Sequence, residues 1–239
     1  MAADALSEIP WIGSLDADEQ RLVERESSRV EFERGETIFA PTPEPQSVYI
    51  LESGLVRIYR LDESGAETTF GYVAPGEVFG ELTAFGAHPR ESFAAASLPS
   101  VVRRFGRAAF ERLVRARPER MMTVTRQIAE RLKRMESRLE QLVFEDVRSR
   151  LGSILLELAH DFGEARGSGV LIRLPLTQSE IATLIGATRQ TVNATLADFR
   201  NEGLVDRDGG CVLLRNPEGL RRALRTLSAP ATGSGASRS

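Results

Sequence analysis

Residues 177–203, TQSEIATLIGATRQTVNATLADFRNEG, constrain the fold more than any other stretch of this chain. Thr177 and Glu180 form a T-x-x-E capping box, which opens a helix. Ile181, Leu184 and Ile185 give that helix one apolar face, and Ala182 is small enough to let a second helix approach closely. Gly186 ends it, because a left-handed turn residue costs least at glycine. Thr188 then caps a second helix in which Val192, Leu196 and Phe199 point inward. Arg189, Gln190 and Asn193 are left on its outer face near the N-terminal end. Their donors and acceptors suit base edges in a DNA major groove. A bland αα-hairpin is the competing reading. Against it, 204–206 and 211–214 flank Asp208-Gly209-Gly210, a β-hairpin signal, and 170–174 reads as a short strand upstream. Strand, two helices and hairpin make a winged helix-turn-helix.

Size and charge bound the partners. With 239 residues and 41% apolar content, the chain forms one large domain or two small ones with ordinary cores. A net charge of −3 argues against a generally basic nucleic-acid coat. The balance is uneven: up to Phe144 there are 19 basic and 23 acidic residues, and beyond it 12 and 11. Specific DNA binding needs a local basic face only, so this distribution permits it. One cysteine, Cys211, excludes a disulfide framework and any four-thiolate zinc or iron–sulfur site built from this chain alone. No signal-peptide pattern and no apolar run near 18 residues is present, so a soluble, cytoplasmic protein without a membrane partner is expected. Residues 228–239 are rich in Ala, Gly and Ser and are expected to be disordered.

The first half has a different texture. Between Val30 and Arg107, β-type runs at 37–39, 48–51, 55–61, 68–73 and 101–105 alternate with Gly35, Gly54, Gly65, Gly76, Gly80 and Gly86. Val56-Arg57-Ile58-Tyr59-Arg60 has the period-2 pattern of a half-buried strand, and Asp62-Glu63-Ser64-Gly65 marks a hairpin tip. Short strands at this spacing predict a jelly roll or a small barrel, preceded by a short helix over 17–26. A cupin enzyme has a similar pattern, but cupins usually hold a metal through clustered His and carboxylates. This chain has only His88 and His160, and no Ser/His/Asp or Cys/His set can be assembled, so no catalytic residues and no metal ligands are assigned. The alternative left standing is a cupin-like β-barrel enzyme or ligand-binding protein with a helical extension that binds protein.

A long helix joins the halves. Pro118 suits its first turn. Met121, Thr125, Ile128, Leu132, Met135, Leu139 and Leu142 then recur at alternating spacings of 4 and 3, a heptad seam that predicts a two-chain coiled coil. On that register Arg131 is spaced to pair with Glu136 of a parallel partner. The competing reading is a helix packed on its own β-roll.

β-roll, long helix and winged helix, in that order, resemble the Crp/Fnr family (cyclic-AMP receptor protein-like) of bacterial transcription regulators over roughly residues 8–225. The most specific marks are Gly76-Glu77-Val78-Phe79-Gly80-Glu81-Leu82, Phe144-Glu145-Asp146-Val147-Arg148-Ser149-Arg150-Leu151 and Thr188-Arg189-Gln190-Thr191-Val192. The resemblance implies an α+β chain: an N-terminal double-stranded β-helix (jelly-roll) effector-type domain over 1–108, a dimerisation helix and hinge over 109–144, and a C-terminal winged helix-turn-helix over 145–227. It also implies a homodimer that reads a palindrome on double-stranded DNA, contacts RNA polymerase, and answers to a small-molecule effector.

For DNA, the resemblance puts Arg189 on guanine, a pairing that discriminates by about 1–3 kcal/mol. Gln190 stands where many relatives have Glu, Ala194 where they have Arg, and Asn193 is placed to compensate. Thr177, Gln178, Ser179 and Thr188 become phosphate partners at helix N-termini. For the effector, cyclic-AMP-binding members cradle ribose and phosphate with a Gly-Glu-Leu turn, followed ten residues after the Glu by Arg-Ser. Gly80, Glu81, Leu82 and Ser92 match, but the Arg position is Glu91. A carboxylate there repels a cyclic phosphate by about 4 kcal/mol at 4 Å for an effective dielectric of 20. Arg90 replaces the missing cation only if the loop after Ala84 is reset, because alternation otherwise turns it to the opposite face. Met135 and Glu136 occupy the position of a Thr-Ser pair that would bond adenine. Three departures therefore argue against cyclic AMP. Iron–sulfur sensing is excluded by the cysteine count, and haem would need His88. The stretch 148–163 is also similar to cyanobacterial nitrogen regulators that sense 2-oxoglutarate; some relatives need no effector, so an effector-independent regulator is the other expectation for this chain.

Overall fold

The structure, a computed structural model, describes residues 16–43, 47–86, 89–174 and 176–227. The expected tail over 228–239 and His88 lie outside the described residues. Contacts divide the chain into two compact units, Met1–Met135 and Glu136–Ser239.

The first unit opens with helix α1, Ala17–Glu26, as the sequence predicts. Asp16 caps it by accepting from the backbone N–H of Asp18 and Glu19, and the Glu19 carboxylate accepts from the Asp16 N–H in return. Six antiparallel strands follow: β1 Ser27–Phe32, β2 Thr37–Phe39, β3 Ser47–Leu61, β4 Glu67–Val73, β5 Val78–Phe79 and β6 Phe93–Gly106. They pair in the order β1-β6-β3-β4, with β2 on β6 and β5 on β3. The two strands expected at 48–51 and 55–61 are therefore one bent strand. Gly54, expected to separate them, instead bends β3: it sits at φ +94°, where a Cβ would lie 2.5 Å from the Pro99 carbonyl. The register of β3 on β6 shifts on both sides of it, between Leu51 and Val56. A bulge of this kind increases bend and twist, which lets one long pair of strands roll up.

Two apolar clusters fill the roll. Phe39, Tyr49, Leu51, Phe79 and Val102 form one. Val48, Ile50, Val78 and Phe105 form the other, covered by Phe110, Leu113 and Val114 of helix α3, Arg107–Arg115. A single turn, α2, spans Leu82–Phe85. The long helix, α4, runs from Pro118 to Phe144. Val124 enters the second cluster, with Met121 and Ile128 packed against it. The upper part of the heptad seam is thus spent on the chain's own roll, whereas Leu132 and Leu139 are 56% and 63% exposed. The Arg131–Glu136 partner pair is also corrected: Arg131 bonds Glu81 of its own chain at 3.0 Å.

In the second unit, helix α5, Val147–Phe162, is capped by Asp146, which accepts from the Ser149 N–H at 2.7 Å. Strands β7 Gly163–Arg166, β8 Gly169–Ile172, β9 Val205–Asp208 and β10 Cys211–Leu214 form an antiparallel sheet ordered β7-β8-β10-β9. Helices α6, Gln178–Ile185, and α7, Arg189–Asn201, pack on α5. Helix α8, Pro217–Leu227, buries Leu220 and lays Leu224 so close to Gly152 that a Cβ there would meet it at 2.6 Å. Strand β7 was not expected, since its four residues are all exposed and show no alternation. Helix α8 was not expected either, although Pro217 at the first turn and the helical spacing of Leu220, Leu224 and Leu227 are a legible signal for it.

Candidate DNA-reading site and effector pocket

The helix pair forms as its residues dictate. The Thr177 hydroxyl accepts from the Glu180 N–H at 3.1 Å, and the Glu180 carboxylate accepts from the Thr177 N–H at 2.7 Å. Gly186 adopts φ 60°, ψ 48°, so the chain turns without a Cβ penalty. Thr188 caps α7 through the Thr191 N–H at 3.1 Å. Val192, Leu196 and Phe199 are buried against the unit's core. Helical periodicity then leaves Arg189, Gln190, Asn193 and Ala194 exposed. Among the described residues, the side chains of Arg189, Gln190 and Asn193 have no hydrogen-bond or ion-pair partner. Thr177, Ser179 and Thr188 are exposed and Gln178 is half-buried, with the two threonine hydroxyls engaged in capping. Arg207 on strand β9 is a further exposed cation, which the sequence reading did not single out.

The expected effector turn lies in the first unit. Gly80, at φ +74°, passes so close to Arg90 that a Cβ would meet its Nη2 at 2.9 Å. Arg90 itself is 5% exposed. Its Nη2 donates to the carbonyls of Ser47 (2.7 Å) and Gly80 (3.2 Å) and to the Thr83 hydroxyl (3.3 Å). The guanidinium carbon lies 4.0 Å from the Phe39 ring centroid, a cation–π contact. No carboxylate comes within ion-pairing distance of Arg90 among the described residues, and its Nε is buried without a hydrogen-bond partner. Burial pulls the pKa of this guanidinium below its ordinary value.

The loop before β6 takes the reset course, which brings Arg90 inward in place of Glu91. Arg90 points into the roll, and Glu91 turns outward to pair with Arg60 at 2.6 Å. A bridge between Thr42 and Arg90, 2.8 Å in both directions, fixes residue 90 before β6 begins, so the strand's alternation does not govern it. The repulsion expected from Glu91 toward a phosphate therefore disappears. Ser92 is half-buried, while Leu82, Met135 and Glu136 are exposed.

The long helix grips the same turn. The Arg131 guanidinium donates to Glu81 at 3.0 Å and to the Val78 carbonyl. Gln127 accepts from the Val78 N–H at 3.0 Å and donates to the Gly76 carbonyl at 3.2 Å. Burial pushes the Glu81 carboxyl above its ordinary pKa, and Arg131 opposes that shift. Glu81 and Arg131 are thus paired directly, turn to long helix. The sequence reading did not anticipate this link, because it assigned Arg131 to a partner chain.

Residues 29–117 match the cyclic nucleotide-binding domain family, and residues 149–223 match the Crp-like helix-turn-helix domain family. The CRP-like cAMP-activated global transcriptional regulator of Mycobacterium tuberculosis is 38% identical over 196 residues, covering 82% of this chain and 88% of that protein. The chain belongs to the Crp/Fnr family of transcription regulators. The global nitrogen regulator of Nostoc sp. is 33% identical over 193 residues, which cover 80% of this chain and 86% of that protein. A CRP-family transcriptional regulator from Thermus thermophilus superimposes with a TM-score of 0.70 at 29% identity, over 82% of this chain and 96% of that one. Family membership sets aside the cupin-enzyme alternative: this is a DNA-binding regulator, not an enzyme. Crp/Fnr regulators bind DNA as dimers and often engage RNA polymerase. Among the described residues no helix is long and apolar enough to cross a membrane.

Proposed function

We propose that this Crp/Fnr regulator acts in the cytoplasm as a homodimer that sets one α7 helix into each half of a palindromic DNA site. The observation that carries the reading is the trio Arg189, Gln190 and Asn193 at the first turns of α7, exposed and, among the described residues, without side-chain partners. Arg189 reads guanine through O6 and N7, Gln190 favours adenine, and Asn193 makes up for the short Ala194. Thr177, Gln178, Ser179 and Thr188 face phosphates while capping their helices. Leu132, Met135, Leu139 and Leu142 carry the dimer contact, since a narrow stripe of exposed leucine and methionine on a long helix is costly in water. RNA polymerase is the expected protein partner. Selection of duplexes from a random pool tests the reading: enrichment of an inverted repeat with G fixed in each half supports it, and no enrichment refutes it.

The effector is an anion seated against Arg90. A buried guanidinium without a carboxylate is expensive unless an anion joins it. Gly80, Glu81, Leu82 and Ser92 surround that position in sequence, Glu91 does not oppose it, and the Mycobacterium tuberculosis relative is a cAMP-activated protein. Met135 and Glu136 lack the hydroxyl donors that would bond adenine, so recognition rests on the phosphate end. Calorimetric titration with cyclic AMP, cyclic GMP and inorganic phosphate tests this. Binding of at least one, lost in Arg90→Gln, is expected; equal heats in both proteins would count against it.

A further inference from the structure

The dimer reading leaves open what holds α7 at a fixed angle to the end of the long helix. Two independent features within the second unit meet at the turn that launches α7. The first is Arg150 on α5. Its Nη1 donates to the Glu145 carbonyl at 2.7 Å, just past the long helix, and its Nε donates to the Ile185 carbonyl at 2.8 Å. Its Nη2 reaches the Gly186 carbonyl at 3.4 Å. These carbonyls belong to chain ends that helices leave unsatisfied, and the planar fork meets each of the three with a different nitrogen. The second is Leu142, whose Cδ2 lies 2.8 Å from where a Cβ on Gly186 would stand. The last turn of α4 is therefore seated directly on the helix-turn-helix turn, three residues before Arg189.

We propose that Arg150 is a positioning residue for DNA reading, fixing the reading helix to the end of the long helix and thereby setting the distance between half-sites that a dimer accepts. The proposal rests on the homodimer reading above. Arg150 touches no base: its guanidinium is turned inward onto backbone carbonyls. Arg138 reinforces the seating by pairing with Glu157 of α5 at 3.0 Å, so α5 and the end of α4 hold together at a second place. With Arg150 removed, each α7 keeps its own caps and core but can swing about the Glu145–Asp146 link. Base preference then survives while spacing preference softens.

The test uses the full-length protein and a duplex enriched by the wild type from a random pool, remade with one base pair inserted or deleted between the half-sites. Half-site spacing on successive turns is a geometric property of a dimer. Wild type is expected to lose roughly tenfold or more in affinity on either change, because each shifts the half-sites by about 34–36° of twist and 3.4 Å. Arg150→Gln is expected to narrow that penalty below about threefold while keeping the wild-type base preference within each half. Arg150→Lys, a point charge able to reach one carbonyl at a time, is expected to behave like Gln; a wild-type spacing penalty in Arg150→Lys would overturn the proposal. If Arg150→Gln fails to fold, as judged by its thermal transition, Arg150→Lys decides alone. Failure of the wild type to enrich any two-part site would sink the dimer reading instead, which separates the two outcomes.

Discussion

At the residue scale, single groups carry identifiable burdens. Among the described residues Arg189 has no partner, so Arg189→Ala should leave folding and association intact. It should erase about 1–3 kcal/mol of discrimination at one position per half-site, visible as a flattened base in a selected pool; an unaltered base would remove its assigned role. Glu19 shows the opposite situation. It pairs with Arg120, which is 2% exposed, at 2.7 Å and with Arg117 at 2.9 Å. These arginines hold its carboxyl at about 2 instead of the ordinary 4.5. Because the folded pKa is depressed, its stabilising contribution is full above about pH 4.5 and fades as pH falls toward 2. Glu19→Gln strands a buried cation and should cost about 2–3 kcal/mol at pH 7 in urea unfolding. That deficit should shrink between pH 4.5 and 2; a deficit independent of pH would mean the charge is not what matters. Capping residues and the αL glycine were legible in the sequence because local backbone chemistry fixes them. Between Arg90 and Glu91 the local period could not decide, and Arg131 was misplaced, because their directions are set by tertiary partners, Thr42 and Glu81 among them.

At the element scale, the bent strand β3 and the divided face of α4 are the informative cases. Gly54 read as a boundary from sequence, since glycine between apolar runs marks turns and bulges alike; only the pairing with Pro99–Ser100 decides between them. Gly54→Ala should destabilise the roll by at least about 2 kcal/mol, through positive φ and a backbone clash together, read as a drop in thermal midpoint. No measurable drop would mean the bulge relaxes freely. The heptad seam was equally legible, but a sequence period says which residues share a face, not what covers it. Met121 and Ile128 meet the roll, and Leu132 and Leu139 stay bare. Leu132→Glu with Leu139→Glu should therefore yield well-folded monomers with much weaker DNA binding; sedimentation showing an unchanged dimer would contradict the seam.

At the scale of the whole molecule, each of the two units holds its own stretch of the long helix. In the first unit, Glu81 and the Gly76–Val78 backbone are held by Arg131 and Gln127 of the long helix. In the second, Leu142 and Arg150 seat the end of that helix on the turn before α7. The helix-turn-helix and the exposed face of its second helix were readable from spacing and capping. Strand β7 and the polar interior of the β-roll were not, because exposed strands lack alternation and buried polar contacts leave no periodic trace. The central claim is that two copies present Arg189 to one palindromic duplex. The most direct measurement is the mass of the complex by sedimentation on a selected duplex, paired with a footprint of the same complex. Two chains per duplex with symmetric protection centred about one helical turn apart is the predicted result; one chain per duplex, or protection without symmetry, would contradict it.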